Sequence, residues 1–131
     1  MYLGLCDELA TIHEISAAYD ISRNHLMKVV QKLAKAGYIE SVRGQGGGLR
    51  LKTRPEDIRI GDVVRNMEPD VALVECQRSD NQCVISPACR LKRVFERAQL
   101  TFLDQLDETT LRDLLPRPAR KELIRILDIE N

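Results

Sequence analysis

A chain of 131 residues with 44% hydrophobic content is long enough to bury one core and too short for two separate globular domains. No apolar run approaches the roughly 18 residues of a membrane span, and the start lacks the order of a signal peptide, so a cytoplasmic location is expected. The formal net charge of +0 is unevenly spread, because residues 22–54 carry eight basic side chains against one acid, Glu40, and residues 55–131 carry twelve against fifteen. Such a positive block on an otherwise acidic chain is the footprint of a polyanion partner, the plainer alternative being a solvated face.

Thr11 followed three residues later by Glu14 is a capping box and predicts a helix start. Ile12, Ile15, Ala18 and Tyr19 keep helical spacing, and Asp20-Ile21 is a tight connection. Ser22 is an N-cap for a second helix, in which Leu26, Val29, Val30 and Leu33 form an apolar stripe ended by Gly37. Its other face carries Asn24, Lys28, Gln31 and Lys35, with Arg23 and His25 in the first turn. Two short helices, a tight turn and a polar, basic second face form a helix-turn-helix, whose second helix enters the major groove. Tyr38 to Arg43 then alternates as a strand, Gly44-Gln45-Gly46-Gly47-Gly48 turns the chain, and Leu49 to Lys52 alternates back. This is a β-hairpin wing, with Gly46 and Gly47 allowing close backbone approach to a groove and Arg43, Arg50 and Lys52 beside them to meet phosphates. A phosphate-binding loop is excluded, since a basic strand follows the glycines instead of a helix and no Gly-Lys-Ser/Thr occurs.

Beyond Pro55-Glu56-Asp57, a short helix is expected over about Gly61 to Met67 and a functional loop from Asp70 to Pro87. From about Ala88 to Leu106 a longer helix carries Leu91, Val94, Phe95, Ala98, Phe102, Leu103 and Leu106 at helical spacing, a stripe suited to pairing with a second copy or to packing within the chain. A shorter helix is predicted around Thr110 to Leu115; Pro116 and Pro118 then break the chain, and residues 119–129 form a final helix or a loosely held tail. The fold class expected is mainly α with a small β-hairpin wing, a winged helix-turn-helix plus a long dimerisation helix. The expected organisation is a DNA-binding domain over 1–69, a functional loop over 70–90, a dimerisation helix and short following helix over 88–115, and a C-terminal tail over 116–131.

Cys76, Cys83 and Cys89 lie within 14 residues, while Cys6 stands alone among Leu3, Leu5 and Leu9 and reads as packed core. In a reducing compartment, metal binding or redox chemistry is the better reading of such a cluster. Zinc sites usually pair ligands at two to four residues, whereas wider spacing suits a core with several irons. A thiol redox switch and a zinc site remain alternatives. Arg78, Arg90, Lys92 and Arg93 would favour thiolates. His13 and His25 lie outside the loop and read as surface or groove-side residues. A cysteine nucleophile would need a base that the sequence does not place, so no enzymatic activity is expected.

The segments Ser22-Arg23-Asn24-His25, Ala36-Gly37-Tyr38, Val42-Arg43-Gly44 with Gly47-Gly48, Ile60-Gly61-Asp62-Val63-Val64-Arg65 and Ile85-Ser86-Pro87-Ala88-Cys89-Arg90-Leu91-Lys92 resemble the NsrR branch of the iron-sulfur winged-helix repressors, nearly over the whole chain. The resemblance implies a homodimer that represses genes by binding double-stranded DNA. It further implies that Cys76, Cys83 and Cys89 ligate an iron-sulfur cluster, [4Fe-4S] in preference to [2Fe-2S], whose attack by nitric oxide weakens that binding. The sister IscR regulators carry a histidine where this chain has Lys92, which favours the nitric-oxide branch over sensing of iron-sulfur status. Members of the family open with a longer first helix, so the sequence is expected to begin partway along it at Met1-Tyr2-Leu3-Gly4-Leu5, without the acidic ligand that completes the cluster in some relatives.

Overall fold

In a computed structural model that describes residues 1–68 and 70–130, the chain runs α1 (Tyr2–Leu5), α2 (Ile12–Ala18), α3 (Arg23–Lys35), β1 (Ile39–Val42), β2 (Gly48–Leu51), α4 (Ile60–Met67), α5 (Arg90–Asp107) and α6 (Arg117–Ile126). Single 3₁₀ turns occupy Pro55–Asp57, Glu75–Gln77 and Ser86–Ala88. The local signals act as read. The Thr11 amide donates to Glu14 Oε2 at 2.6 Å and the Glu14 amide to Thr11 Oγ1 at 3.2 Å, closing the capping box. Asp20 takes the turn between α2 and α3 at φ 51°, a left-handed conformation that a short polar side chain tolerates. Ser22 Oγ accepts from the His25 amide at 3.2 Å. At the far end of α3, Gly37 adopts φ 86°, its amide donating to Ala34 O at 3.0 Å and that of Tyr38 to Leu33 O at 3.1 Å. That pair of bonds is a Schellman stop, and it turns the chain straight into the hairpin.

β1 and β2 pair antiparallel from Ile39↔Leu51 to Val42↔Gly48. The tip needs glycine at Gly47, where an added Cβ would overlap Val42 O. Leu49 also exchanges two backbone bonds with Ala10, at 3.0 and 2.8 Å, so the segment ahead of α2 closes the inner side of the wing. The core beneath joins Leu5, Ala10, Ile15, Leu26, Val30, Ile39 and Leu49 with Leu127 and Ile129 from the chain's end. An open apolar cavity of about 540 Å³ lies beside it, lined by Tyr2, Ile15, Leu26, Val30, Leu49 and Val63 among others and by none of the predicted site residues.

Two expectations about the last third need correction or sharpening. Thr110 to Leu115 is not a helix. The Thr110 amide is taken by Asp113 Oδ2 at 2.8 Å and the Leu111 amide by Ile58 O at 2.8 Å. The first amides of any segment lack intrahelical partners, but the bonds that follow here are single i→i−3 turns, the Asp113 amide to Thr110 O at 3.2 Å and the Leu115 amide to Arg112 O at 3.0 Å, and Pro116 ends the segment before a helical ladder forms. Residues 117–126 are helical and firmly placed, since Pro118 sits in the first turn of α6, where its missing N–H costs nothing. Arg120 Nη1 donates to Gly4 O at 2.7 Å, and Nη2 to Leu5 O at 2.8 Å and Asp7 Oδ1 at 3.2 Å. A guanidinium from the end of the chain thus satisfies carbonyls that the short α1 leaves open.

α5 has no buried residue. Phe95, Gln99, Leu103 and Leu106 are half-buried, while Leu91, Val94, Ala98 and Phe102, one face of the same helix, are exposed. Its C-terminal end is locked to α4. Arg65 donates to both carboxylate oxygens of Asp107 at 2.6 and 2.7 Å, and Arg59 Nη1 donates to Asp107 O at 3.0 Å. The approach is close because position 61 is glycine, as a Cβ there would overlap the Asp107 carboxylate.

Candidate nucleic-acid interface and cysteine loop

The 3.6-residue period of α3 separates its faces. Leu26 and Val30 are buried, and Ser22, Arg23, Asn24, His25, Lys28, Gln31 and Lys35 are all exposed on or beside the helix. Lys32 differs from its basic neighbours, because its Nζ donates to Met67 O at 3.3 Å near the last carbonyls of α4. On the wing, Arg43, Gly46 and Arg50 are exposed and Gly47 is half-buried. Gly44 and Gly46 hold φ 108° and 76°, conformations that suit glycine and keep the tip bare. Arg50 is not unengaged: its Nε donates to Glu40 Oε1 at 2.7 Å, as expected for opposite charges facing each other across the ladder at Glu40↔Arg50. A phosphate would have to compete with that carboxylate, whereas Lys28 and Arg43 have no ion pair among the described residues.

The sequence reading put His13 at the surface or groove side but missed its partner. His13 on α2 has its Nδ1 2.7 Å from Arg23 Nη2. The pairing spans the helix-turn-helix joint, and no local spacing rule announces it.

The three clustered cysteines occupy one loop. Cys76 lies in the 3₁₀ turn Glu75–Gln77 and is half-buried, Cys83 is exposed, and half-buried Cys89 is the residue at which α5 begins. Side chains of the loop order its backbone. Gln77 Oε1 accepts from the amides of Leu73 at 2.7 Å and Val74 at 3.2 Å, and its Nε2 donates to Gln99 Oε1 at 2.8 Å. Gln99 Nε2 returns to Val71 O at 3.0 Å, which fastens the segment carrying Cys76 to α5. Glu75 Oε1 accepts from the Gln82 amide at 3.0 Å, and Asn81 Oδ1 from the Cys83 amide at 2.9 Å.

Among the described residues, no group of three or more His, Cys, Asp or Glu side chains is gathered closely enough to hold a metal ion. The chemistry of the loop still fits an iron-sulfur centre. Its donors are thiols, the ligands such centres use. Ser86 Oγ, between Cys83 and Cys89, is buried without a hydrogen-bond partner, and a sulfur acceptor would answer its O–H. Cys6 belongs elsewhere, packed against the core with its Sγ donating to Tyr2 O at 3.4 Å. Burial pushes its thiol pKa up, and Glu14 and Asp7 add to the effect.

Residues 1–117 match the Rrf2 family, described as "Iron-dependent Transcriptional regulator". The chain belongs to this family. It is 48% identical over 124 residues to the HTH-type transcriptional regulator NsrR of Bacillus subtilis, covering 94% of this chain and 84% of that one. With NsrR of Geobacillus kaustophilus it shares 48% over 129 residues, covering 95% and 88%. Among solved structures, that of T. potens IscR is similar at a TM-score of 0.64 and 28% identity, covering 83% of this chain and 70% of that chain. CymR, the global cysteine regulator of B. subtilis, matches at a TM-score of 0.67 and 25% identity, covering 86% and 84%. This Rrf2 member is therefore a winged-helix transcriptional regulator that binds DNA, and the enzymatic alternative is set aside. No helix among the described residues is long and apolar enough to cross a membrane.

Proposed function

We propose that this Rrf2 regulator is a cytoplasmic, homodimeric repressor whose operator affinity depends on an iron-sulfur cluster held by Cys76, Cys83 and Cys89, with nitric oxide as the signal. Ser22, Arg23, Asn24, His25, Lys28, Gln31 and Lys35 face the major groove, and Arg43, Gly46, Gly47 and Arg50 meet the backbone beside it. Residues 1–69 are the reading head, 70–90 the cluster loop, 88–115 the dimerisation segment and 116–131 the C-terminal tail, whose α6 reaches back to α1 through Arg120. When bound, a [4Fe-4S] centre, preferred here over [2Fe-2S], supplies iron open to attack by a small diatomic.

The chain's own residues do the coupling. Gln77 and Gln99 tie the loop to α5, the Arg65–Asp107 pair ties α5 to α4, and Lys32 ties α4 to α3. Loop order is thus linked to the head's orientation, and in a dimer paired through Leu91, Val94, Ala98 and Phe102 it sets the spacing of two recognition helices against half-sites about one DNA turn apart. The observation that carries this reading is the placement of three thiols on one loop fastened by paired amides to a helix with an unpartnered apolar face.

The test begins with anaerobic purification and an operator isolated from a random duplex pool. The protein is expected to be brown, to contain iron and acid-labile sulfide, and to lose operator affinity on exposure to nitric oxide. Serine at Cys76, Cys83 or Cys89 is expected to lower iron content and operator binding together, leaving Cys6→Ser with both. Colourless protein that binds the operator as tightly, or zinc in place of iron, overturns the proposal.

A further inference from the structure

Arg23 is the first residue of α3, the end of a recognition helix that reaches base edges, and it is met there by a side chain from another helix. His13 Nδ1 lies 2.7 Å from Arg23 Nη2. A guanidinium has only donors, so Nδ1 accepts in this pair, which requires the tautomer that carries the ring proton on Nε2. The backbone that carries the ring is held in place. Ser16 Oγ donates to His13 O at 3.0 Å, Ser16 and Ile15 are buried, and the capping box fixes the start of the same helix.

The choice of partner matters. Arg50 is met by a carboxylate, Glu40, which offsets its charge, whereas an accepting ring nitrogen orients Arg23 without bringing a negative charge to it and leaves four of five N–H donors for another acceptor. Glu14, the acid next to His13 in sequence, is occupied by the Thr11 amide. Both members of the pair are exposed, so it contributes little to holding the fold together. Its consequence is restriction of a long side chain that would otherwise lose rotamer freedom on meeting DNA.

We propose that His13 is a specificity-determining positioning residue of the DNA interface, holding the Arg23 guanidinium in a preset pose at the head of the recognition helix. This rests on Arg23 facing DNA as proposed above. Dissociation constants for the operator and for a scrambled duplex of equal length, measured on the full chain at several salt concentrations, separate the two readings. His13→Ala is expected to lower the operator-over-scrambled ratio by about five- to tenfold, with salt slope and melting temperature unchanged. His13→Gln, whose amide oxygen also accepts, is expected to keep the ratio within about twofold. On an Arg23→Ala background, His13→Ala is expected to add nothing. Equal loss on both backgrounds, or His13→Gln behaving like alanine, overturns the role of His13 while the interface stands. An Arg23→Ala protein that binds both duplexes as wild type does overturns the interface reading as well.

Discussion

Gln77 offers the sharpest test of how the cysteine loop is ordered. Alanine there removes an acceptor from the Leu73 amide at 2.7 Å and the Val74 amide at 3.2 Å, and a donor to Gln99 at 2.8 Å. Neutral hydrogen bonds contribute about 1 kcal/mol each net of water competition. The longest of the three counts for less and the site is only partly buried, so about 2 kcal/mol of local order is at stake. That corresponds to roughly a 30-fold shift in the opening equilibrium of the segment. Native-state hydrogen exchange reads this directly: the amides of Leu73 and Val74 should exchange about 30-fold faster in Gln77→Ala, with those of β1 and β2 unchanged. In iron-loaded protein, release to a chelator should quicken in the same direction. Unchanged exchange at residues 73 and 74, or acceleration spread evenly over the molecule, would refute the view that this amide pair fastens the loop to α5.

Leu5 is completely buried in the main core, so Leu5→Ala should cost about 2–5 kcal/mol in urea unfolding, and a smaller loss would mean that α1 does not seal that core. The Thr11 amide, then its hydroxyl, hold Glu14 below the usual carboxylate range, and the Thr110 hydroxyl, then its amide, do the same for Asp113. Depressed carboxylates stabilise the fold above their unfolded values and lose that effect as pH falls through the folded ones. Melting temperature should therefore hold steady near neutrality and drop below about pH 4.5, less steeply in Glu14→Gln. Lys28→Ala and Arg43→Ala should each weaken operator binding by about 1 kcal/mol and lower the salt slope by about one; unchanged binding would remove both from the contact surface. Phe102→Glu, on the exposed face of α5, should shift light-scattering mass from dimer to monomer, and an unaltered mass would mean that copies do not pair through that face.

The features legible in the sequence are those settled within a few residues. The Thr11–Glu14 box, the Ser22 cap, the Gly37 stop and the hairpin between Val42 and Gly48 follow from donor and acceptor spacing or backbone sterics that neighbours along the chain impose. The faces of α3 follow equally, because helical period alone decides which side of it is apolar. The misreading of Thr110 to Leu115 has the opposite origin: the Leu111 amide donates to Ile58 O and the Arg112 amide to Pro55 O, and partners 53 and 57 residues away leave no local signature.

Composition and spacing by themselves determined the reading head, the wing and three thiols on one loop, since each depends on local geometry. Folding alone decided which polar groups meet. Arg120 caps α1 across 116 residues, Arg65 finds Asp107 across 42 because position 61 lacks a Cβ, Glu40 answers Arg50, and His13 reaches Arg23. Long polar side chains carry no periodicity that marks their partners, so these pairings exist only once the backbone has brought distant segments within hydrogen-bond reach.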